Sequence, residues 1–248
     1  MIQLTTPSGQ AQTASLPTYR KLQRVLLAAC ILLGPLAFSL YVVSWNDVNG
    51  GLIATSARVG ILANQLHFVS GFAASFFLPP GYLGMALLGM RHSPWLATIS
   101  AILGLVGWIP FAALVGIDDL AYDIALRGST PQFATLWTSF NGDALMNAFL
   151  YTYAAGHLLS TVLIGVLLGR TRLIPVWAAW VLILSSPLTI VAFIDGQHYR
   201  SVVSPLICGL LILGSLPAAI AMVTNKDQER NMGVKEQQAA AATRNEKV

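Results

Sequence analysis

Charge is what this sequence has least of. Asp, Glu, Lys and Arg make up only 10% of its 248 residues, where a soluble domain carries roughly 25%. So few charges cannot cover a water-soluble fold of this length, which excludes a soluble enzyme or binding domain. Histidine is also scarce, with four residues, and there are two cysteines. No helix carries two histidines four apart and no His-Glu-x-x-His motif occurs, so the usual helix-borne zinc site of a metalloprotease is absent. Cys30 and Cys208 fall in the first and last apolar runs, nearer opposite ends of their spans. They read as small buried hydrophobes, not as a disulfide. Residues 1 to 19 are polar and uncharged, so they lack the charged start of a secretory signal. Arg20, Lys21 and Arg24 do precede an apolar run, but it spans about 20 residues and no small-x-small cleavage site follows, so it reads as an uncleaved first helix.

What the chain has in abundance is apolar sequence, 55% of all residues. Six stretches are long enough to span a bilayer: 22–45, 62–90, 95–117, 145–169, 173–194 and 202–223. A helix needs about 20 mainly apolar residues to cross a hydrocarbon core of about 30 Å. Barrel strands would instead alternate over segments of about ten residues. The expectation is an all-α integral membrane bundle of six helices over residues 22–223. A polar segment, 1–21, precedes it and a charged, Gln- and Ala-rich tail, 224–248, follows it; the tail has the composition of a disordered segment.

The basic residues set the orientation. With the N-terminus in the cytoplasm, eleven of the fourteen basic side chains lie inside and only Arg58, Arg127 and Arg200 lie outside. The positive-inside rule therefore predicts cytoplasmic N- and C-termini. Asp47, Asp118, Asp119, Asp123, Asp143 and Asp195 all fall outside, giving the outer face a net charge of −3. Topology thus explains the basic overall balance, and nucleic acid is not implied as a partner; the lipid bilayer is. In the longest loop, 118–144, Thr130 and Pro131 form a helix start. Phe133, Leu136, Trp137 and Phe140 then recur at helical spacing, predicting a short amphipathic helix that anchors at the outer interface or covers a cavity.

Two pairs of runs look duplicated. Pro110 precedes Asp118 by eight residues and Pro187 precedes Asp195 by eight, with Ile before Asp in both. The same two runs begin Pro94-Trp95-Leu96-Ala97 and Pro175-Val176-Trp177-Ala178. Runs two and three would then match runs four and five about an axis along the membrane normal, an arrangement some transporters use to build a site at the repeat interface.

His157 stands out because it falls near the bilayer midplane, about 18 Å from the cytoplasmic end at 1.5 Å per residue. An ionisable group at that depth is a functional-site hypothesis by default. The same count puts His67 about 34 Å from its cytoplasmic end, at the outer interface, unless Pro79-Pro80-Gly81 kinks the helix and draws it deeper. Asn64, His67, Gly71 and Ser75 share one helical stripe, and Tyr153, His157 and Ser160 or Thr161 share another. Asp118, Asp119, Asp195, His198 and Tyr199 fall at the mouth of the same side. The candidate site for a ligand or proton is therefore His157, Tyr153, His67, Asn64, Asp118, Asp119 and Asp195, lining an outward polar vestibule.

Small-molecule or ion binding or transport is the function this vestibule favours, with no cofactor and no catalytic residue assigned. A structural or partner-binding membrane subunit is the alternative, with His157 merely packing against its neighbours. A metal-dependent intramembrane hydrolase could draw ligands from His67, His157 and Asp118, and a haem could take the two histidines, but both readings need residues from different depths to meet.

The run Gln65-Leu66-His67-Phe68 with Gly84, Leu88, Ala97, Gly104 and Asp118, followed by Gly165 to Arg170 and Ile174-Pro175-Val176-Trp177, carries a family likeness. Over residues 25–220 the chain resembles bacterial six-helix integral membrane proteins grouped as a domain of unknown function, found in actinobacteria and firmicutes. The resemblance implies the six-helix fold and a bacterial plasma membrane. It implies no activity and no catalytic residues.

Overall fold

A computed structural model of the chain describes residues 18–45, 51–128, 130–194 and 200–224. Asp195, His198, Tyr199 and the tail lie outside these residues, as does the N-terminal segment except for its last four positions. All the elements described are helical. They are α1 (Thr18–Ser44), α2 (Gly51–Arg58), α3 (Gly60–Gly89), α4 (Pro94–Trp108), α5 (Phe111–Arg127), α6 (Pro131–Asn141), α7 (Ala144–Arg170), α8 (Val176–Ile194) and α9 (Arg200–Thr224). Five helical stretches are long and apolar enough to cross a membrane: 19–44, 60–89, 94–127, 144–170 and 202–224. A shorter apolar helix, Val176–Val191, accompanies them.

The long helices close into a ring. α1 packs on α3, α3 on α4, α4 on α7, α7 on α8, α8 on α9, and α9 returns to α1. The outer surface of this ring is apolar, with Phe72, Phe76, Trp177, Trp180 and Val202 each more than half exposed. A soluble protein would bury such a surface, whereas a bilayer solvates it. In lipid no hydrophobic force drives helices together, and close packing over small residues takes its place. Gly107 and Gly156 show this where α4 meets α7: a Cβ on Gly156 would lie 2.5 Å from the Gly107 Cα, and one on Gly107 would collide with the His157 backbone nitrogen.

Trp108 is the hub of the interior. It is 1% exposed, and the rings of His157, Phe38, Tyr82, Tyr153 and Phe111 surround it at centroid distances of 5.0 to 5.7 Å. Tyr82 reaches across from α3 to α7, where its hydroxyl and that of Thr161 are 2.6 Å apart.

The structure corrects the reading of the region after Ile117. Residues 118–127 are not loop. The apolar run breaks instead at Ile109-Pro110, and α5 then continues for 17 residues to Arg127. Pro110 has no N–H to give to a preceding turn, so it separates the two helices, and its φ of −63° suits the start of the next. Phe111, Val115, Asp118, Ala121 and Ile124 form the buried stripe of α5, so Asp118 occupies a core position of a helix. Pro187, the matching proline of the apparent duplication, behaves differently and lies within α8. α3 likewise runs without interruption through Pro79 and Pro80.

Two short helices complete the fold. α6 forms as its sequence predicts: Thr130 caps it by accepting from the Phe133 N–H at 3.3 Å, and Pro131 takes the first position. None of its residues is buried. α2 fills the connection between α1 and α3, where the sequence reading placed no element. Gly51 and Gly60 open α2 and α3 at φ values of +88° and +81°, a backbone region that costs a glycine little.

Candidate functional site

The site grows from the end of α1. The last four carbonyls of a helix have no partner within it, and in α1 these begin at Tyr41. The Tyr41 carbonyl is taken by two side chains: the Ser44 hydroxyl donates to it at 2.8 Å and His67 Nδ1 lies 2.9 Å away. A carbonyl can only accept, so Nδ1 carries a hydrogen. On the other edge of the ring, Nε2 lies 3.1 Å from Asp118 Oδ2. The same oxygen accepts the Tyr41 hydroxyl at 2.6 Å. One residue of α1 thus holds both members of a histidine–carboxylate pair formed between α3 and α5.

The imidazole is also clamped through its faces. Tyr41 and Trp45 stand four apart, one helical turn, and stack on it at centroid distances of 4.1 and 3.9 Å. The Trp45 ring is within 7° of parallel to it. Trp45 is fixed in turn by its indole N–H, which donates to Asn64 Oδ1 at 3.0 Å, while the Asn64 amide donates to the Ser56 carbonyl of α2 at 2.8 Å. The imidazole is thus enclosed between two aromatic faces, with the C-terminal end of α1 at its Nδ1 edge.

Proton accounting follows from these contacts. With Nδ1–H committed to a carbonyl, an ionised Asp118 faces an imidazolium, and the alternative moves that one proton onto Oδ2. The pair is neutral overall in both forms. His67 and Asp118 are 2% and 6% exposed, and neutrality is what allows two ionisable groups to sit this deep, since an uncompensated buried charge costs several kcal/mol.

Beside Asp118 lies a cavity of about 330 Å³. Its wall is largely apolar, with Phe38, Phe111, Leu114 and Ile207 prominent, and its polar groups come from Tyr41, Asp118, Asn141, Tyr153, Thr189 and Ser204. Its lining comes from the last turns of α1, the middle of α5, the start of α7 and the start of α9, so it sits at one end of the bundle. Asn141, from the end of α6, reaches it too. Asp118 uses Oδ2 for both of its bonds, and Oδ1 takes no hydrogen bond among the described residues. Among the described residues the wall offers no Lys or Arg side chain.

The two histidines singled out in the sequence have different surroundings. His157 is enclosed: Nδ1 donates to the Tyr153 carbonyl at 2.6 Å, and its ring stacks on Tyr153 and tilts against Trp108. It does not line the cavity. His67 and His157 stand at opposite ends of a chain of rings, Tyr41, Phe111 and Tyr153, each in contact with the next. Of the other candidates, Tyr153 lines the cavity, Asn64 is buried behind Trp45, Asp119 is exposed, and Asp195 lies outside the described residues. The residues sequence reasoning missed are Tyr41 and Trp45, which stand one helical turn apart at the end of the first apolar run.

Chemically, Ser44, His67 and Asp118 stand in the order of a nucleophile, base and orienting acid, with Ser44 Oγ 3.2 Å from Nδ1. The order does not make a catalytic triad. A base nitrogen must be bare to take the serine proton, yet Nδ1 donates to the Tyr41 carbonyl and the Ser44 hydroxyl is committed to the same oxygen. Among the described residues no group of three or more His, Cys, Asp or Glu side chains is placed to hold a metal ion. No family model matches the chain, and neither a curated protein nor a solved structure shows significant similarity to it.

Proposed function

We propose that this chain is a small-molecule binding membrane protein, and that the cavity beside Asp118 is the binding site through which it binds or transports its ligand. The observation that carries this reading is an apolar cavity of about 330 Å³ lined by Asp118, a buried carboxylate whose Oδ1 takes no hydrogen bond among the described residues. Binding sites are typically concave and mostly apolar, with a few placed polar groups. In this reading α8 is the sixth crossing, both termini are cytoplasmic, the cavity opens toward the outer face, and the membrane is the bacterial plasma membrane. The matched sequences at Pro94 and Pro175 and at Pro110–Asp118 and Pro187–Asp195 support a parallel repeat of the second and third crossings in the fourth and fifth. His157 then serves packing, and the vestibule centres on Asp118.

The test is thermal unfolding of the detergent-purified protein against a panel of amphiphilic small molecules, alongside Ser204→Phe, which adds bulk to the cavity wall. At a ligand concentration 100 times Kd, binding stabilises the folded state by about 2.7 kcal/mol, so a binder raises Tm in the native protein and not in the filled variant. If every compound shifts both proteins equally, the cavity is not a binding site.

A further inference from the structure

Resting on that reading, we infer that the ligand is a lipophilic organic cation and that it enters in exchange for the proton shared by His67 and Asp118. The cavity supplies the ligand class. Its apolar wall suits a hydrophobic body, and among the described residues Asp118 is the one carboxylate that lines it, with an Oδ1 that takes no hydrogen bond among them. Among the described residues no basic side chain lines the cavity to favour an anion. A neutral ligand could donate a hydrogen bond to Oδ1, but a cation gains more, because opposite charges attract strongly in a low-dielectric setting.

Charge balance supplies the exchange. The empty pair is neutral, so a cation added at Oδ1 would leave the site with one uncompensated positive charge in a low-dielectric setting. Loss of the proton between Nε2 and Oδ2 restores neutrality. The balanced step takes a ligand cation and the protonated pair to a complex of the cation with ionised Asp118 and neutral His67, releasing one proton to water. Nε2 is buried, while Asp118 reaches the cavity, so the proton leaves by way of the carboxyl group. His67 keeps its Nδ1 hydrogen on the Tyr41 carbonyl throughout, and its ring need not move.

The other titratable groups near the pair, among the described residues, are engaged or placed as follows. From α1 the pair meets Tyr41, whose hydroxyl donates to Asp118, and from α7 the cavity receives the Tyr153 phenol. α9 contributes the Cys208 thiol to the wall. The charged side chain of α2 is Arg58, which is exposed. On α5, Asp119 is exposed and Asp123 pairs with Arg127 at 3.8 Å on the surface. Asp143 caps α7, accepting from the Leu145 N–H at 2.8 Å.

The decisive experiment is isothermal titration calorimetry on the full chain in detergent, with benzyltrimethylammonium, which has no proton of its own to lose, and its neutral isostere neopentylbenzene. Running it in two buffers of different ionisation enthalpy counts protons. The expected result is cation binding with release of about one proton per ligand, and an affinity that tightens as pH rises by up to about tenfold per unit. Asp118→Asn should weaken cation binding by about tenfold or more. His67→Gln should keep cation binding but change how its affinity depends on pH. Equal binding of neopentylbenzene would overturn the cation class and leave the cavity reading standing. Cation binding without proton release would overturn the exchange alone. If neither compound binds the native protein better than it binds Ser204→Phe, the cavity reading falls and this inference with it.

Discussion

Tyr41 does three things at once: its ring covers one face of His67, its hydroxyl holds Asp118, and its carbonyl holds the other edge of the imidazole. Tyr41→Phe keeps the ring and the carbonyl and removes only the hydroxyl. The expected cost is about 1 kcal/mol, the net worth of one hydrogen bond, measured as a fall in unfolding free energy in detergent. Gly71→Ala should do more without touching a polar atom. Its Cβ would lie 2.7 Å from a Tyr41 ring carbon and 3.0 Å from Val115, which predicts an overpacking loss of about 1–3 kcal/mol. A Gly71→Ala protein as stable as the native one would mean Tyr41 is not held in this place. At this scale the sequence was legible only where chemistry is rare. An ionisable residue in an apolar run announces itself, so His67 and Asp118 could be found. Tyr41 and Trp45 could not, because aromatic residues near the end of a membrane helix are expected whether they face lipid or a site. His157 drew attention for its depth, and depth alone does not distinguish a ring enclosed by Trp108 and Tyr153 from one that faces a cavity.

The elements explain why the pair forms. α3 contributes His67 and α5 contributes Asp118, and the two meet only because α5 continues as a helix past Ile117 and turns a core stripe toward α3. A double-mutant cycle with His67→Leu, Asp118→Leu and the combined variant tests this link. Residues sharing a buried network couple by about 0.5–3 kcal/mol, and the expectation here is a favourable coupling of at least about 1 kcal/mol in unfolding free energy. Additive losses would mean that the pair does not tie α3 to α5. The start of α6 was readable from Thr130 and Pro131, and the long apolar helices from their length, because capping and hydropathy are local signals. The extension of α5 was not readable. Asp118, Asp119 and Asp123 lower the hydropathy after Ile117 and imitate a loop, while the helix shows itself only in the burial of Ala121 and Ile124. α2 was hidden for a similar reason, since eight residues between two glycines carry too short a pattern.

The whole molecule is a ring of long helices with an apolar exterior, an aromatic core around Trp108 and a polar pair beside a cavity at one end. Composition alone dictated the class, because a chain with 10% charged residues has one solvent that suits it. The path of the ring and the position of the cavity came only from the structure, since which helix meets which depends on small-residue contacts such as Gly107 with Gly156 and not on hydropathy. The central claim is that this cavity is a binding site reached from the outer face, and Cys208, which is 3% exposed and lines the cavity, reports on it directly. In a Cys30→Ala protein in intact cells, Cys208 is then the only thiol. Small membrane-impermeant methanethiosulfonates applied outside should modify it, the cationic reagent faster than the anionic one, and Ser204→Phe should suppress the reaction. Modification only after the cytoplasmic side is opened to the reagents, or none until the protein is unfolded, would contradict the account.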